Sequence, residues 1–174
     1  MEKTHTNWTV LIVDDVRATR AMLRALLRDN GVGNILEAEN GVEALRLLQS
    51  RRVDVIVTDL AMAAMDGLQL TRKLRQPYGK NAFVPVMMIS GHEEEKHIKA
   101  AMEAGVACFM KKPLAAGPFM ARLRALVLHP RNAVKAAGYW GPDRRKREIP
   151  VGQDRRCDDE VDLDALPARG GAST

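Results

Sequence analysis

Residues 10–15 read VLIVDD and residues 53–59 read VDVIVTD. In each stretch a short apolar run rich in β-branched residues ends abruptly in acid. Such a run is too short for a buried helix and shows little polar alternation, so it fits a strand covered on both faces. Strands of that kind belong to parallel sheets, whose crossover helices lie on either side. The residue that follows such a strand lies at the carboxyl edge of the sheet, where open α/β folds place their ligands.

Working outward, the same unit recurs along the chain. The pattern predicts strands at Val10–Val13, Ile35–Ala38, Val53–Val57, Phe83–Ile89 and Ala107–Met110, each followed by apolar residues of helical period. Those stripes run through Leu23 and Leu27, Ala44 and Leu48, Leu70 and Leu74, Ile98 and Ala101, and Phe119 and Leu123. Asn40 with Glu43 three residues on reads as a capping box, Glu93 to Glu95 put negative charge at a helix start, and Gly105 can close that helix. The first, third and fourth strands are nearly unbroken apolar runs, whereas the second is mixed and the fifth short, so these two belong at the edges. The expected class is α/β: a doubly wound five-stranded parallel sheet, (βα)5 and flavodoxin-like, with strand order 2-1-3-4-5.

The chain of 174 residues, 46% apolar and 28% charged, has room for one domain and a remainder. A domain of that size needs no disulfide or structural metal. Cys108 and Cys157 lie in no CxxC or Cys/His cluster, and His92 and His97, five residues apart, fall on different helix faces, so zinc is not expected. Apolar runs reach only about half a dozen residues against the roughly 18 of a membrane span, and MEKTHTNWT at the N-terminus has no apolar signal-peptide core. The expectation is a cytoplasmic protein without membrane contact. The formal charge of +5 is diffuse, with eighteen Lys and Arg against fourteen acids over residues 1–129, and does not point to nucleic acid.

Periodicity stops after His129 and Pro130. One domain is therefore expected over residues 1–129, followed by a tail over 130–174. The tail is charge-segregated: residues 131–147 hold six basic groups against one acid, and residues 154–164 hold six acids against two bases. Its GPDRR at 141–145 returns as GQDRR at 152–156, too few copies for a repeat fold. Tyr139 and Trp140 stand together in this polar stretch, which predicts that they anchor the tail on a protein surface, either this domain or a second copy.

The carboxyl ends of the strands collect one chemistry. Asp14 and Asp15 follow the first strand, Thr58 and Asp59 the third, Ser90 the fourth, and Lys111 and Lys112 the fifth. Clustered carboxylates repel one another unless a cation sits among them, and an all-oxygen site with free positions suits Mg²⁺, which shares its shell with phosphate. In that setting Asp59 is the candidate nucleophile for a phosphoryl group, with Lys112 and Ser90 as contacts to the phosphoryl oxygens. The bland reading of Asp14 and Asp15 is that they cap the following helix.

Five pieces in order, LIVDD at 11–15, ENGVEAL at 39–45, VTDLAMAAMDGL at 57–68, VPVMMISG at 84–91 and FMKKP at 109–113, make residues 8–129 resemble the receiver domain of two-component response regulators. The chemotaxis-type stand-alone receivers with a short C-terminal tail are the nearest subtype. The resemblance implies Asp59 as phosphoacceptor, Asp14, Asp15 and the backbone carbonyl of Ala61 as further Mg²⁺ ligands, Ser90 and Lys112 as phosphate contacts, and Phe109 as a switch aromatic. It also implies that Ala61 and His92 flank the path of the hydrolytic water and tune dephosphorylation. Ala63 stands where the family usually has proline, and Phe109 where tyrosine is commoner.

The expected function is a signalling switch that takes a phosphoryl group from a histidine kinase or a histidine phosphotransfer protein and acts on an unidentified protein target. Its chemistry is self-directed, so it is not expected to be an enzyme in the usual sense, and the tail is not expected to be a separate output domain. The alternative is a transcriptional regulator that binds nucleic acid through the basic part of the tail; no helix-turn-helix pattern supports it. An aspartyl phosphatase would need a second acid two residues beyond Asp59, where Ala61 stands.

Overall fold

The structure is a computed structural model that describes residues 7–91 and 95–143. Its first ten elements alternate as β1 (Thr9–Val13), α1 (Arg17–Asp29), β2 (Asn34–Ala38), α2 (Gly41–Ser50), β3 (Val55–Asp59), α3 (Gly67–Leu74), β4 (Val86–Ser90), α4 (Glu95–Ala104), β5 (Cys108–Lys111) and α5 (Ala116–Leu128). The five strands pair in parallel in the order β2-β1-β3-β4-β5, the flavodoxin-like arrangement. No helix among the described residues is long and apolar enough to cross a membrane.

Each strand feeds two layers because alternate side chains point to opposite faces. Leu11, Val13, Ile56 and Met88 pack with Leu48, Leu70 and Ala101 on one side. Val10, Ile12, Val57 and Met87 pack with Leu23, Leu27, Phe119 and Leu123 on the other. These residues are essentially inaccessible, and full burial of one such side chain contributes roughly 1.5–3 kcal/mol.

Three strands begin later than the apolar runs suggest, β5 by a single residue and β3 and β4 by more. Asp54 meets β1 partly through its side chain, since the N–H of Thr9 donates to Asp54 Oδ2 at 2.9 Å, and regular β3 starts at Val55. Before β4, Pro85 has no N–H to give, and the carbonyls of Ala82 and Val84 accept from the Arg75 side chain, so the strand starts at Val86.

Helix ends follow local chemistry. Asn40 Oδ1 accepts from the N–H groups of Val42 and Glu43, while Glu43 reaches back to the N–H of Glu39, one residue beyond the expected box. Asp66 and Gln69 form a full capping box on α3. Gly105 ends α4 at φ +93°, a left-handed conformation that glycine takes without steric cost. Glu93 and Glu94 lie outside the described residues.

The first part of the tail is not irregular. Ala133–Ala136 (β6) and Tyr139–Pro142 (β7) form an antiparallel hairpin around Ala137 and Gly138, with Gly138 at φ +75°. It packs on the domain. The Tyr139 side chain is buried, its hydroxyl donates to the carbonyl of Pro142 at 2.8 Å, and the ring lies against Gly105. The Trp140 ring stacks near Phe83, tilts against Tyr78 and carries Lys135 Nζ 4.8 Å above it. Under the hairpin the buried Arg75 guanidinium donates to the carbonyls of Gly105, Ala82 and Val84. Burial pulls its pKa down to about 10, and Tyr139 offsets part of that. The tail's later charge runs, with Arg144–Arg147, lie outside the described residues.

Candidate functional site

The parallel register sets out the site. Val13 pairs with Thr58, Asp59 with Ile89, and Ser90 with Lys111, so the last residues of β1, β3, β4 and β5 share one edge. Asp14 continues from β1, its N–H donating to the carbonyl of Ala38 at the end of β2. Lys112 continues from β5, its N–H donating to the carbonyl of Ser90 at 2.8 Å. Both side chains therefore start from fixed backbone.

One ammonium joins two carboxylates. Lys112 Nζ lies 2.7 Å from Asp59 Oδ1 and 3.1 Å from Asp14 Oδ2. Burial alone lowers a lysine pKa, but the hydrogen bonds and charges of Asp59 and Asp14 outweigh it and hold Lys112 above its ordinary value. The other oxygen of Asp14 accepts from the N–H of Val16 at 2.8 Å, in the turn that precedes α1; Val16 itself is the N-cap and no side chain caps this helix end, so the bland capping reading of Asp14 and Asp15 is not realised. The other oxygen of Asp59 accepts from the N–H of Ala61 at 3.0 Å.

Asp15 is exposed, and among the described residues no three His, Cys, Asp or Glu side chains converge as around a metal ion. In place of the three gathered carboxylates expected from sequence, two share an ammonium while Asp15 stands in water. The reason is local: Lys112 and the Val16 N–H hold Asp14 inward. The donor set nevertheless suits a hard divalent cation, since Asp14 and Asp59 already converge on one positive charge and Asp15 adds oxygen donors at the next position.

Ser90 is buried at the end of β4. Phe109 lies inside, 5% exposed, in the core layer that α4 covers. The β3–α3 loop carries Ala64 at φ +64°, a conformation costly for a residue with a Cβ. Gly67 at the start of α3 approaches the Asp59 carbonyl so closely that a Cβ would collide with it. Tyr139 and Trp140 sit on the hairpin, away from this edge, and His92 lies outside the described residues.

Sequence reading missed Arg20. It is buried on the inner stripe of α1 with Leu23 and Leu27, and donates to the carbonyl of Asp14 at 2.6 Å. The signal was present: a basic residue occupying an apolar position one turn before Leu23.

The domain has known relatives. A family model of the response regulator receiver domain matches residues 10–124. Response regulator MprA of Mycobacterium tuberculosis is 37% identical over 118 residues, covering 68% of this chain and 50% of that protein. The chain thus spans about half the length of such relatives. Among solved structures, the chemotaxis response regulator CheY4 of Vibrio cholerae is 27% identical with TM-score 0.63, covering 68% of this chain and 98% of its own. A signal receiver domain of a signal transduction histidine kinase from Syntrophus aciditrophicus is 26% identical with TM-score 0.63, covering 75% and 98%.

Proposed function

The chain belongs to the response regulator receiver domain family, and from that premise we propose that it is a phosphorylation-dependent signalling switch whose acceptor is Asp59. The observation that carries the reading is the Lys112 ammonium held between the carboxylates of Asp14 and Asp59 at the carboxyl edge of the sheet. A lone aspartate capping a turn needs no such partner.

The donor is a phosphohistidine on a histidine kinase or a histidine phosphotransfer protein. An oxygen of the Asp59 carboxylate attacks phosphorus, the P–N bond breaks as the P–O bond forms, and the imidazole nitrogen keeps the electron pair. Lys112, already at hydrogen-bond distance from Asp59, is placed to pair with a phosphoryl oxygen, and the Ser90 hydroxyl can donate to another. Asp14, Asp15, Asp59 and the carbonyl of Ala61 would hold Mg²⁺, which when bound neutralises the carboxylates and the incoming phosphoryl charge. Ser90 and Phe109 then report the change to a protein partner. Calling the chain an enzyme would overstate a chemistry directed at itself.

The test is intact-mass measurement after incubation with acetyl phosphate. We expect one added phosphoryl group in the presence of Mg²⁺, none in Asp59→Asn and none with EDTA. Equal labelling of the Asn variant would refute the assignment.

A further inference from the structure

Arg20 is 7% exposed, on a helix face otherwise made of leucine. Burying a guanidinium there costs desolvation that a leucine would avoid, so packing does not account for it. Its contacts are specific. Nη1 donates to the Asp14 carbonyl at 2.6 Å, Nη2 lies 3.2 Å from Glu39 Oε1, and Nε lies 3.5 Å from Glu37 Oε2.

We infer that Arg20 is a positioning residue for Asp14, fixing the direction in which that carboxylate meets a divalent cation. The inference rests on the reading of Asp14, Asp15 and Asp59 as a Mg²⁺ site. The N–H of Asp14 is held by the carbonyl of Ala38 at 3.2 Å, and its carbonyl is held by Arg20. Both peptide groups that flank its Cα are therefore pinned, and the side chain is left directed at Lys112 and Asp59. The planar guanidinium suits this task because it can hold one carbonyl and two carboxylates in fixed directions at once.

Charge alone argues the other way. A cation beside a cation site weakens binding by Coulomb repulsion, and here Glu37 and Glu39 offset it. Removing the Arg20 charge strips Glu39 of this partner near the site, while Glu37 keeps Arg24 at 2.9 Å. Pure electrostatics then predicts tighter Mg²⁺ binding in Arg20→Gln, whereas loss of positioning predicts weaker binding.

The experiment is calorimetric titration of the full chain with MgCl₂ at fixed ionic strength and without phosphodonor, for wild type, Arg20→Gln and Arg20→Lys, beside urea unfolding of each. We expect Arg20→Gln to weaken Mg²⁺ on the order of tenfold, the scale seen when a partner that orients a metal ligand is lost. Arg20→Lys keeps the charge without the planar fork and falls between Arg20→Gln and wild type. Equal or tighter binding in a folded Arg20→Gln would overturn the inference, even if its stability drops. Should Arg20→Gln not fold, Arg20→Lys carries the test, and wild-type affinity in that variant overturns the inference. A wild type that binds no Mg²⁺ would instead overturn the site reading on which it stands.

Discussion

The backbone N–H of Trp140 donates to the carbonyl of Arg75 at 2.8 Å, tying a hairpin beyond the family match to the end of α3. Tyr139 lies beside it over the buried guanidinium, and a Cβ at Gly141 would strike the Arg75 side chain. The hairpin therefore adds to the stability of the domain it covers. Tyr139→Ala should cost about 3 kcal/mol, the usual range for emptying an aromatic position in a core, and Tyr139→Phe about 1 kcal/mol for the lost hydroxyl bond. Urea midpoints measure both. Wild-type midpoints in both variants would mean the hairpin contributes nothing.

The raised pKa of Lys112 fixes the sign of an alkaline effect. A lysine held above its unfolded value of 10.5 contributes stability fully present below that value and lost as pH rises through the folded pKa. Lys112→Gln should be less stable than wild type at neutral pH, because Asp14 and Asp59 then face each other without an ammonium. The gap should be about 1–2 kcal/mol, discounted from a fully buried pair because the lysine side chain is 30% exposed. It should narrow above pH 10.5 and on addition of Mg²⁺. Stability curves of the two proteins that run parallel up to pH 12 would contradict the assigned interaction.

The sheet was legible because each strand is a run of apolar residues closed by the residue that carries chemistry. Asp14, Asp59, Ser90 and Lys112 could be read for the same reason, since the register of a parallel sheet brings strand ends together whatever the loops do. The hairpin was not legible. Its strands are four residues each, with Val134 their one β-branched residue, and their anchor is the guanidinium of Arg75, whose burial no apolar pattern announces. Arg20 escaped for a related reason: a basic residue on an apolar stripe looks like noise until its acceptors are known. Asp15 was grouped with its neighbour because adjacency in sequence hides which of two aspartates the backbone turns inward.

Ala64 pays for its left-handed backbone in the loop behind Asp59. Glycine takes φ +64° without the Cβ clash, so Ala64→Gly should stabilise the protein by roughly 0.5–1 kcal/mol after the greater freedom of an unfolded glycine is counted. Asp59 labelling should be unchanged, because no side-chain atom of the acceptor or its partners is touched. A lower urea midpoint would show that the loop does not hold this conformation.

On the proposed function, the lifetime of the phosphorylated state is expected to turn on Ala61. Hydrolysis of an acyl phosphate requires a water held in line with the P–O bond, and a side chain that orients it must carry a hydrogen-bonding group. Ala61 is exposed two residues beyond the acceptor and offers toward Asp59 only its backbone N–H, at 3.0 Å from Oδ2. A methyl group cannot hold water in place, so the phosphoryl group should persist. Ala61→Asn introduces an amide at that position without altering Lys112 or Asp14, and decay should accelerate about tenfold, less than the roughly 10²–10⁴-fold of a positioned acid–base group because an amide orients the water without taking its proton. The readout is loss of radiolabel from purified phosphoprotein after the donor is removed, with Mg²⁺ held constant. A decay rate equal to wild type would place the limiting contact elsewhere on the path and remove Ala61 from the account of lifetime.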